Sequence, residues 1–386
     1  MSFAGLTPWS NGSALSRPIH RLAAEHARQS PDTFHRPWHI EIDPAAFLDA
    51  LTRESKARMD RFLAGVRSYQ DHPYVRTRGA PAAIWSKGVA ALRDHGGDGP
   101  AAVFVPSLIN RAYILDLAQD RSILAACAAS GVRTFLLDWG EPGTAELKFT
   151  IDDYIIGVLI PALEHVKALT GQAPRLVGYC MGGTVCVAPA VLRPDLIAGL
   201  GLLAAPWDFH AESAASRAMI AATKPVLDAM IAAQGCASVD LLQALFASLD
   251  PTLVGRKFRG FAERSPDSDA ARRFVELEDW LNDGIPLAAD VARQCLFGWY
   301  GENQTLNGTW RVGGLAIDPR RIAVPSLALV PSQDRIVPPA SAEALAKLIP
   351  NCARLNVDLG HIGMMAGGSA PQLVYEPLAK WLKSLA

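Results

Sequence analysis

Short apolar runs of strand type alternate with stretches of helical spacing in the middle of the chain. The apolar runs are residues 101–105, 134–137, 175–177 and 199–203. The helical stretches are residues 122–130, residues 153–169 and the segment after Cys180. Strands separated by helices are typical of a parallel sheet with helices on both faces. We therefore predict an α/β fold, and the right-handed crossover rule restricts its topology.

The alternation stops between Pro206 and about Ile317, where the pattern is helical. This stretch is rich in aromatic side chains: Trp207, Phe246, Phe258, Phe261, Trp280, Phe297, Trp299, Tyr300 and Trp310. These could line a channel for an acyl group or form the core of a cap. Strand patterns resume at 326–330 and 354–357, and a final helix covers 372–382. The layout predicts an α/β core at 100–205 and 318–386, with a helical cap at 206–317.

The first 99 residues form a separate segment in this interpretation. Residues 1–40 are polar, and Asp43 followed by Pro44 is typical of a helix start. Apolar residues follow at helical spacing: Phe47, Leu48, Leu51, Met59, Phe62, Leu63 and Val66. We expect this helix to pack on another part of the chain or on a partner. The glycine-rich tract at 95–100 is a predicted loop.

Composition and charge exclude several classes of protein. Half of the residues are apolar and 19% are charged, and the formal net charge is −1. That balance argues against a nucleic-acid-binding protein, which usually carries a basic excess. The longest apolar runs, 155–163 and 196–207, are shorter than the roughly 20 residues of a membrane span. The N-terminus shows no secretory signal, so we expect a cytoplasmic protein without a membrane span.

Six cysteines lie far apart, at positions 127, 180, 186, 236, 295 and 352. There is no CxxC pair and no close cluster of cysteine and histidine, which argues against a zinc site and a disulfide framework. We expect reduced and mostly buried thiols, with Cys180 as the exception.

The segment Gly178-Tyr179-Cys180-Met181-Gly182-Gly183 carries the sharpest chemical signal, because it stands where an apolar strand turns directly into a helix. In a Gly-x-nucleophile-x-Gly elbow, the nucleophile occupies a strained turn at the end of the strand. The helix N-terminus behind it favours a thiolate and a developing oxyanion. We predict that Cys180 is a nucleophile; the alternative is a buried cysteine in a glycine-rich turn.

An elbow nucleophile needs an acid and then a histidine later in the chain. Asp334 follows the strand at 326–330, and His361 follows the strand at 354–357. Both are expected at the carboxyl ends of strands, on the side of the sheet where Cys180 sits. We predict a triad of Cys180, Asp334 and His361, although each residue alone could be an ordinary loop residue.

Donors for an oxyanion are also required. The backbone N–H of Met181, directly after the nucleophile, is one predicted donor. The other is expected from the loop after strand 101–105, where Leu108 or a neighbour could donate and Asn110 could contact substrate. A basic cluster in the cap, formed by Arg256, Lys257, Arg259 and Arg264, could contact phosphates or form a solvated helix face.

Cysteine suits transfer of an acyl group from a thioester, because exchange between two thioesters is nearly balanced in energy. A free thiol has a pKa of about 8.5, so His361 is needed as its base. Cysteine hydrolases on such a core remain an alternative.

Several segments resemble polyhydroxyalkanoate synthases, a family on the α/β-hydrolase fold. Gly178–Gly183 resembles their G-x-C-x-G-G box, and residues 106–117 resemble the segment after their first core strand. Further matches are 119–122, 138–140, 206–209, 278–280, 303–308, 334–339 and 360–363. The resemblance covers about residues 100–386, and the chain length is most similar to the short-chain class III catalytic subunits.

This resemblance implies an acyltransferase that polymerises (R)-3-hydroxyacyl-coenzyme A into a polyester and releases coenzyme A. Cys180 would carry the acyl chain, His361 would be the general base, and Asp334 would orient His361 or help to activate the 3-hydroxyl group. No metal or bound cofactor is implied. A non-catalytic synthase subunit, a homo-oligomer and association with polymer granules are further expectations.

Two alternatives stay open from the sequence. One is a cysteine-dependent thioesterase, esterase, lactonase or depolymerase-like enzyme on the same core. The other is a non-catalytic member of the fold that binds granules or a partner through its N-terminal helix.

Overall fold

The structure, a computed structural model, describes residues 43–211 and 214–385, except for the side chains of 214–217. The polar segment predicted at 1–40 lies outside these residues. The predicted N-terminal helix is present as α1, Pro44–Gln70. Residues up to Asp60 belong to a first unit, and residues from Arg61 onward to a second. In the first unit, the apolar side chains of Phe47, Leu48, Leu51 and Met59 are exposed.

Eight strands form the main sheet of the second unit. They are β1 Ala83–Lys87, β2 Ala90–Gly96, β3 Ala101–Val105, β4 Arg133–Asp138, β5 Arg175–Tyr179, β6 Gly199–Leu203, β7 Ser326–Pro331 and β8 Ala353–Val357. Their order across the sheet is β1-β2-β4-β3-β5-β6-β7-β8. Strand β2 runs antiparallel to both of its neighbours, and all pairs from β4 to β8 are parallel.

The sequence pattern missed β1 and β2. β1 is an exposed edge strand with polar residues, and the second half of β2 is polar and only half-buried. Neither strand therefore has the continuous apolar run by which a buried parallel strand is identified.

Helices lie on both faces of the sheet. The α-helices that follow α1 in the chain are α2 Ile123–Ala129, α3 Ile160–Thr170, α4 Met181–Leu192, α5 Ala214–Gln234, α6 Val239–Leu249, α7 Leu253–Phe261, α8 Asp269–Asn282, α9 Ala289–Arg293, α10 Pro339–Leu348, α11 Gly363–Ala366 and α12 Glu376–Ser384. Alternate residues of β3 enter two different clusters. Val103 and Val105 pack with α3, α4 and α10, whereas Ala102 and Phe104 pack with α2 and α12. The predicted α/β fold with two covered faces is confirmed.

Helices α5 to α9, which we call the cap helices, lie between β6 and β7 in the chain. The aromatics Trp207, Trp299 and Trp310 form a buried cluster with edge-to-face contacts of 5.4–5.8 Å between ring centroids. These three tryptophans are therefore core. None of the described helices combines the length and the apolar character needed to cross a lipid bilayer.

A buried ion pair ties α8 to the core. Arg121, which precedes α2, pairs with Glu276 of α8, and both side chains are at most 3% exposed. Arg272 also pairs with Glu276, at 2.5 Å. Trp280, one turn further along α8, donates its indole N–H to the carbonyl of Arg111 at 2.9 Å. These contacts hold α8 against the loop that follows β3 and against the start of α2.

Replacing Glu276 by Gln should lower the free energy of unfolding by about 3 kcal/mol, because the buried Arg121 guanidinium would lose its buried counter-charge and keep only the exposed Asp120, 3.5 Å away. Denaturant-induced unfolding measures this change. The matched control is Glu164→Gln, which breaks an exposed pair with Arg193 and should cost under about 1 kcal/mol. Equal losses in the two variants would contradict a stabilising role for the buried pair.

Candidate active site

Cys180 occupies a strained turn between β5 and α4. Its backbone angles are φ 56° and ψ −130°, a region that side chains with a Cβ rarely adopt. Its N–H donates to the Leu203 carbonyl of β6 at 2.9 Å, and its carbonyl accepts from Gly183 at 2.8 Å. The turn is therefore held between the neighbouring strand and the first turn of α4.

Glycines beside Cys180 allow this turn to pack tightly. A Cβ atom at Gly178 would lie 2.4 Å from the Cα of Gly183, and one at Gly182 would lie 2.2 Å from the carbonyl oxygen of Val105. At Gly183, a Cβ would meet the Ala205 side chain at 2.4 Å. The Gly-x-Cys-x-Gly-Gly spacing thus follows from close contact of α4 with the ends of β3, β5 and β6.

Asp334 and His361 meet at the carboxyl ends of β7 and β8. The Nδ1 atom of His361 lies 2.6 Å from Oδ2 of Asp334. The other carboxylate oxygen accepts the backbone N–H groups of Ile336 and Val337, both at 2.8 Å. Because the carboxylate is an acceptor, Nδ1 of His361 carries the proton and Nε2 is left to act on another group.

Cys180 and His361 line the same cavity, and the Cys180 side chain acts on the imidazole through its charge and through a hydrogen bond. Burial of the imidazole lowers its pKa, but the charge of Cys180 and the hydrogen bonds to Asp334 and Cys180 outweigh this, so that the pKa of His361 is raised to about 10. Negative charge beside the ring favours its imidazolium form. The structure therefore brings the three residues of the predicted triad together.

A cavity of about 470 Å³ opens onto Cys180 and His361. Its cap wall is mainly apolar and comes from α6, α7 and α8: Val239, Leu242, Phe246, Leu249, Leu253, Val254, Trp280 and Leu281. Ile109 and Ile114 contribute from the core side. Phe246 and Trp280 are therefore the cap aromatics that could line an acyl channel. No local sequence pattern distinguished Phe246 and Trp280 from Trp207, Trp299 and Trp310, because the packing of each ring depends on the tertiary fold.

The residues predicted to bind the oxyanion or the substrate differ in their position relative to the cavity. Met181 is the first residue of α4, so its N–H has no acceptor within the helix. Asn110 lines the cavity and pairs through its backbone with Gly284, whereas the buried side chain of Leu108 does not line it. Ser107, which the sequence did not single out, does line it. A donor role for Met181 and Leu108 stays a prediction.

The residues of the basic cluster predicted in the cap lie in different places, and only some of them line the cavity. Arg256 and Lys257 line the cavity together with Arg335 of the core. Arg256 pairs with Asp250 at 2.7 Å, and Lys257 pairs with Glu278 at 2.5 Å. Arg264 instead donates to the backbone of Ala270 and lies over the ring of Phe274.

The remaining cysteines have other environments. All six cysteines are free, as expected. Burial raises the pKa of Cys127 to about 12 and that of Cys352 to about 11, and it raises those of Cys186 and Cys295 further. These four thiols are therefore protonated and poor nucleophiles. Among the described residues, no three His, Cys, Asp or Glu side chains are grouped so that they could hold a metal ion.

Comparison with known proteins places this chain in a family. Residues 103–366 match the family model described as alpha/beta hydrolase fold. The chain is 30% identical over 355 residues to the poly(3-hydroxyalkanoate) polymerase subunit PhaC of Allochromatium vinosum, a match covering 89% of this chain and 98% of that protein. The subunit of the same name from Thiocystis violacea is 30% identical over 358 residues, with the same coverage of 89% and 98%.

The chain belongs to the poly(3-hydroxyalkanoate) polymerase subunit family, on the α/β-hydrolase fold. The resemblance seen in the sequence is confirmed. A solved structure adds a likeness in fold alone: the monoacylglycerol lipase of Paleococcus ferrophilus aligns with a TM-score of 0.50 at 17% identity, covering 77% of this chain and 98% of that one.

Replacing Cys180 by Ala should lower the pKa of His361 from about 10. The substitution removes the neighbouring charge that raises this pKa, whereas the burial that lowers it remains. Histidine NMR titration measures the shift, with the resonance assigned from His361→Gln. Cys352→Ala, which lies outside the cavity, is the control. An unchanged titration in Cys180→Ala would mean that the thiol and the imidazole do not interact.

Replacing Gly182 by Ala should displace the elbow, since the added Cβ would meet the Val105 carbonyl at 2.2 Å. We expect a loss of about 1–3 kcal/mol in the free energy of unfolding and at least about tenfold in activity. Gly157→Ala is the control, because nothing lies within 4 Å of a Cβ there. If both variants behaved like the unmodified chain, the elbow would be looser than the structure indicates.

Proposed function

We propose that this chain is an acyltransferase that polymerises (R)-3-hydroxyacyl-coenzyme A into a polyester through a thioester on Cys180. The observation that carries the proposal is the set of interactions that connects Asp334, His361 and Cys180, of which the last two line the cavity. Oδ2 of Asp334 lies 2.6 Å from Nδ1 of His361, and the imidazole also interacts with the side chain of Cys180. Membership of the polymerase subunit family supports the substrate class.

In the first step, the sulfur of Cys180 attacks the carbonyl carbon of the substrate thioester. A carbon–sulfur bond to Cys180 forms, and the carbon–sulfur bond to coenzyme A breaks. The imidazolium of His361 gives its proton to the departing thiolate, so that coenzyme A leaves as a thiol. The N–H of Met181 and a donor near Leu108 would hold the oxyanion of the tetrahedral intermediate.

In the second step, neutral His361 takes the proton from the 3-hydroxyl group of another hydroxyacyl-coenzyme A. The hydroxyl oxygen attacks the acyl carbon on Cys180, so an ester bond forms and the thiolate of Cys180 is released. The extended chain, now a thioester of coenzyme A, then returns to Cys180 by the first step. Repetition of these two steps gives a polyester and one free coenzyme A for each added unit.

Asp334 is proposed to orient His361 rather than to contact the hydroxyl group directly. Its side chain is fully buried, and both of its oxygens are engaged by His361 and by two backbone N–H groups. It is also not among the residues that line the cavity.

The apolar wall supports retention of an acyl chain and exclusion of water, which favours transfer over hydrolysis.

The proposal also covers cofactors, location and partners. The two steps need no metal and no bound cofactor, since the thioester supplies the activated acyl group. Action in the cytoplasm at the surface of a polymer granule would fit an insoluble product. A non-catalytic synthase subunit and self-association of this chain are proposed as partners.

The decisive measurement follows release of coenzyme A from (R)-3-hydroxybutyryl-coenzyme A and identifies the acyl product. Cys180→Ala should reduce release by at least about 1,000-fold, and Asp334→Asn by about 100-fold or more, because the imidazole would lose its tautomer control. Cys352→Ala should retain activity, as this thiol lies outside the cavity.

The product separates polymerisation from the alternatives. Polymer supports the proposal, whereas free 3-hydroxy acid would assign the chain to the cysteine-dependent hydrolases. The assay is repeated in cell extract, which supplies a partner subunit. Failure to release coenzyme A in both settings would overturn the enzymatic proposal.

A further inference from the structure

Tyr179 joins the nucleophile to the histidine, although the sequence analysis assigned it no role. It is the last residue of β5, directly before the strained Cys180, and its side chain is 3% exposed. Its backbone is therefore bonded directly to that of Cys180.

The side chain of Tyr179 contacts His361 in two ways. Its hydroxyl group donates a hydrogen bond to the backbone carbonyl of His361 at 3.1 Å. Its ring stacks on the imidazole, with ring centroids 5.2 Å apart and an angle of 29° between the planes. The two contacts involve different parts of His361, namely the backbone and the ring face. Tyr179 and His361 are 182 residues apart in the sequence.

Asp334 alone does not define the orientation of the imidazole. One hydrogen bond at Nδ1 leaves the ring free to tilt about that bond, and a tilt would move Nε2 away from Cys180. A ring stacked on one face limits this tilt, and a hydrogen bond to the backbone carbonyl fixes the loop from which the side chain projects. Tyr179 supplies both restraints from the residue adjacent to the nucleophile.

We propose that Tyr179 is a positioning residue that holds the imidazole of His361 in register with the sulfur of Cys180. The inference rests on the proposed function, because it assumes that these two groups react together. The charged groups that act on His361 are Cys180 and Asp334, and Tyr179 covers the ring face. Burial raises the pKa of the Tyr179 hydroxyl well above its ordinary value, so it stays a donor.

Two variants separate the contacts. Tyr179→Phe keeps the stacked ring and removes the hydroxyl, and Tyr179→Leu removes both. The matched control is Tyr375→Phe, because Tyr375 is also buried and its hydroxyl also donates to a backbone carbonyl, that of Met365. Each variant is tested in the full chain for stability, for kcat and KM of coenzyme A release, and for His361 titration by NMR.

We expect Tyr179→Phe to lower kcat by about 3- to 10-fold with KM changed by less than about twofold, the loss that one hydrogen bond predicts. Tyr179→Leu should lower kcat further and should also lower the pKa of His361, because the imidazole would be held less firmly against Cys180. Tyr375→Phe should reduce stability to a similar extent as Tyr179→Phe while leaving kcat and the titration of His361 unchanged.

The outcomes distinguish this inference from the proposed function. If His361 titrates alike in the unmodified chain and in Cys180→Ala, the Cys180–His361 pair itself is absent and the proposed mechanism fails. If those two differ, but Tyr179→Phe and Tyr179→Leu keep the kcat and the His361 titration of the unmodified chain, the positioning role alone is overturned. The role of Tyr179 would then be packing only.

Discussion

The backbone of Cys180 sits in a strained conformation, and the candidate site depends on the contacts that hold it there. A positive φ at a residue with a Cβ is costly, so it persists only where surrounding structure compensates. Here the ends of β3, β5 and β6 approach α4 so closely that glycine is required at 178, 182 and 183. The same close approach puts the thiol at the start of a helix and at the wall of a cavity. The close packing of α4 on the strand ends thus fixes the position of the Cys180 thiol.

Burial and charge act in opposite directions on His361. Removing an imidazole from water disfavours its charged form, yet Cys180 and Asp334 raise its pKa to about 10. The raised pKa of His361 therefore depends on the short distances that separate the imidazole from Cys180 and Asp334. The side chain of Asp334 is fully buried with both oxygens engaged, and the ring of Tyr179 stacks on the imidazole. The other thiols lack such partners, and burial keeps four of them protonated.

The cap helices form much of the wall of the cavity beside the sulfur of Cys180. Helices α6 to α8 contribute an apolar wall, and α8 is tied to the core through Arg121, Glu276 and Trp280. Polar contacts are concentrated near Arg256, Lys257 and Arg335, each of which is paired with a carboxylate. An apolar chamber with a charged border suits a substrate that has an acyl part and a polar part. The core carries Cys180, Asp334 and His361, and the cap helices contribute most of the apolar residues that line the cavity.

Much of this protein was predictable from local patterns. Apolar runs marked the parallel strands β3 to β8, and the glycine spacing marked the elbow at Cys180, because both depend on residues that are close in sequence. The order of nucleophile, acid and histidine singled out Asp334 and His361 in advance. The exposed edge strand β1, its half-polar neighbour β2, the residues that line the cavity and the contact of Tyr179 with His361 required the tertiary structure. β1 and β2 lack a continuous apolar run, so their pattern does not identify them as strands. The cavity lining and the Tyr179–His361 contact join segments far apart in the chain, and the order of residues alone contains no measure of their distance.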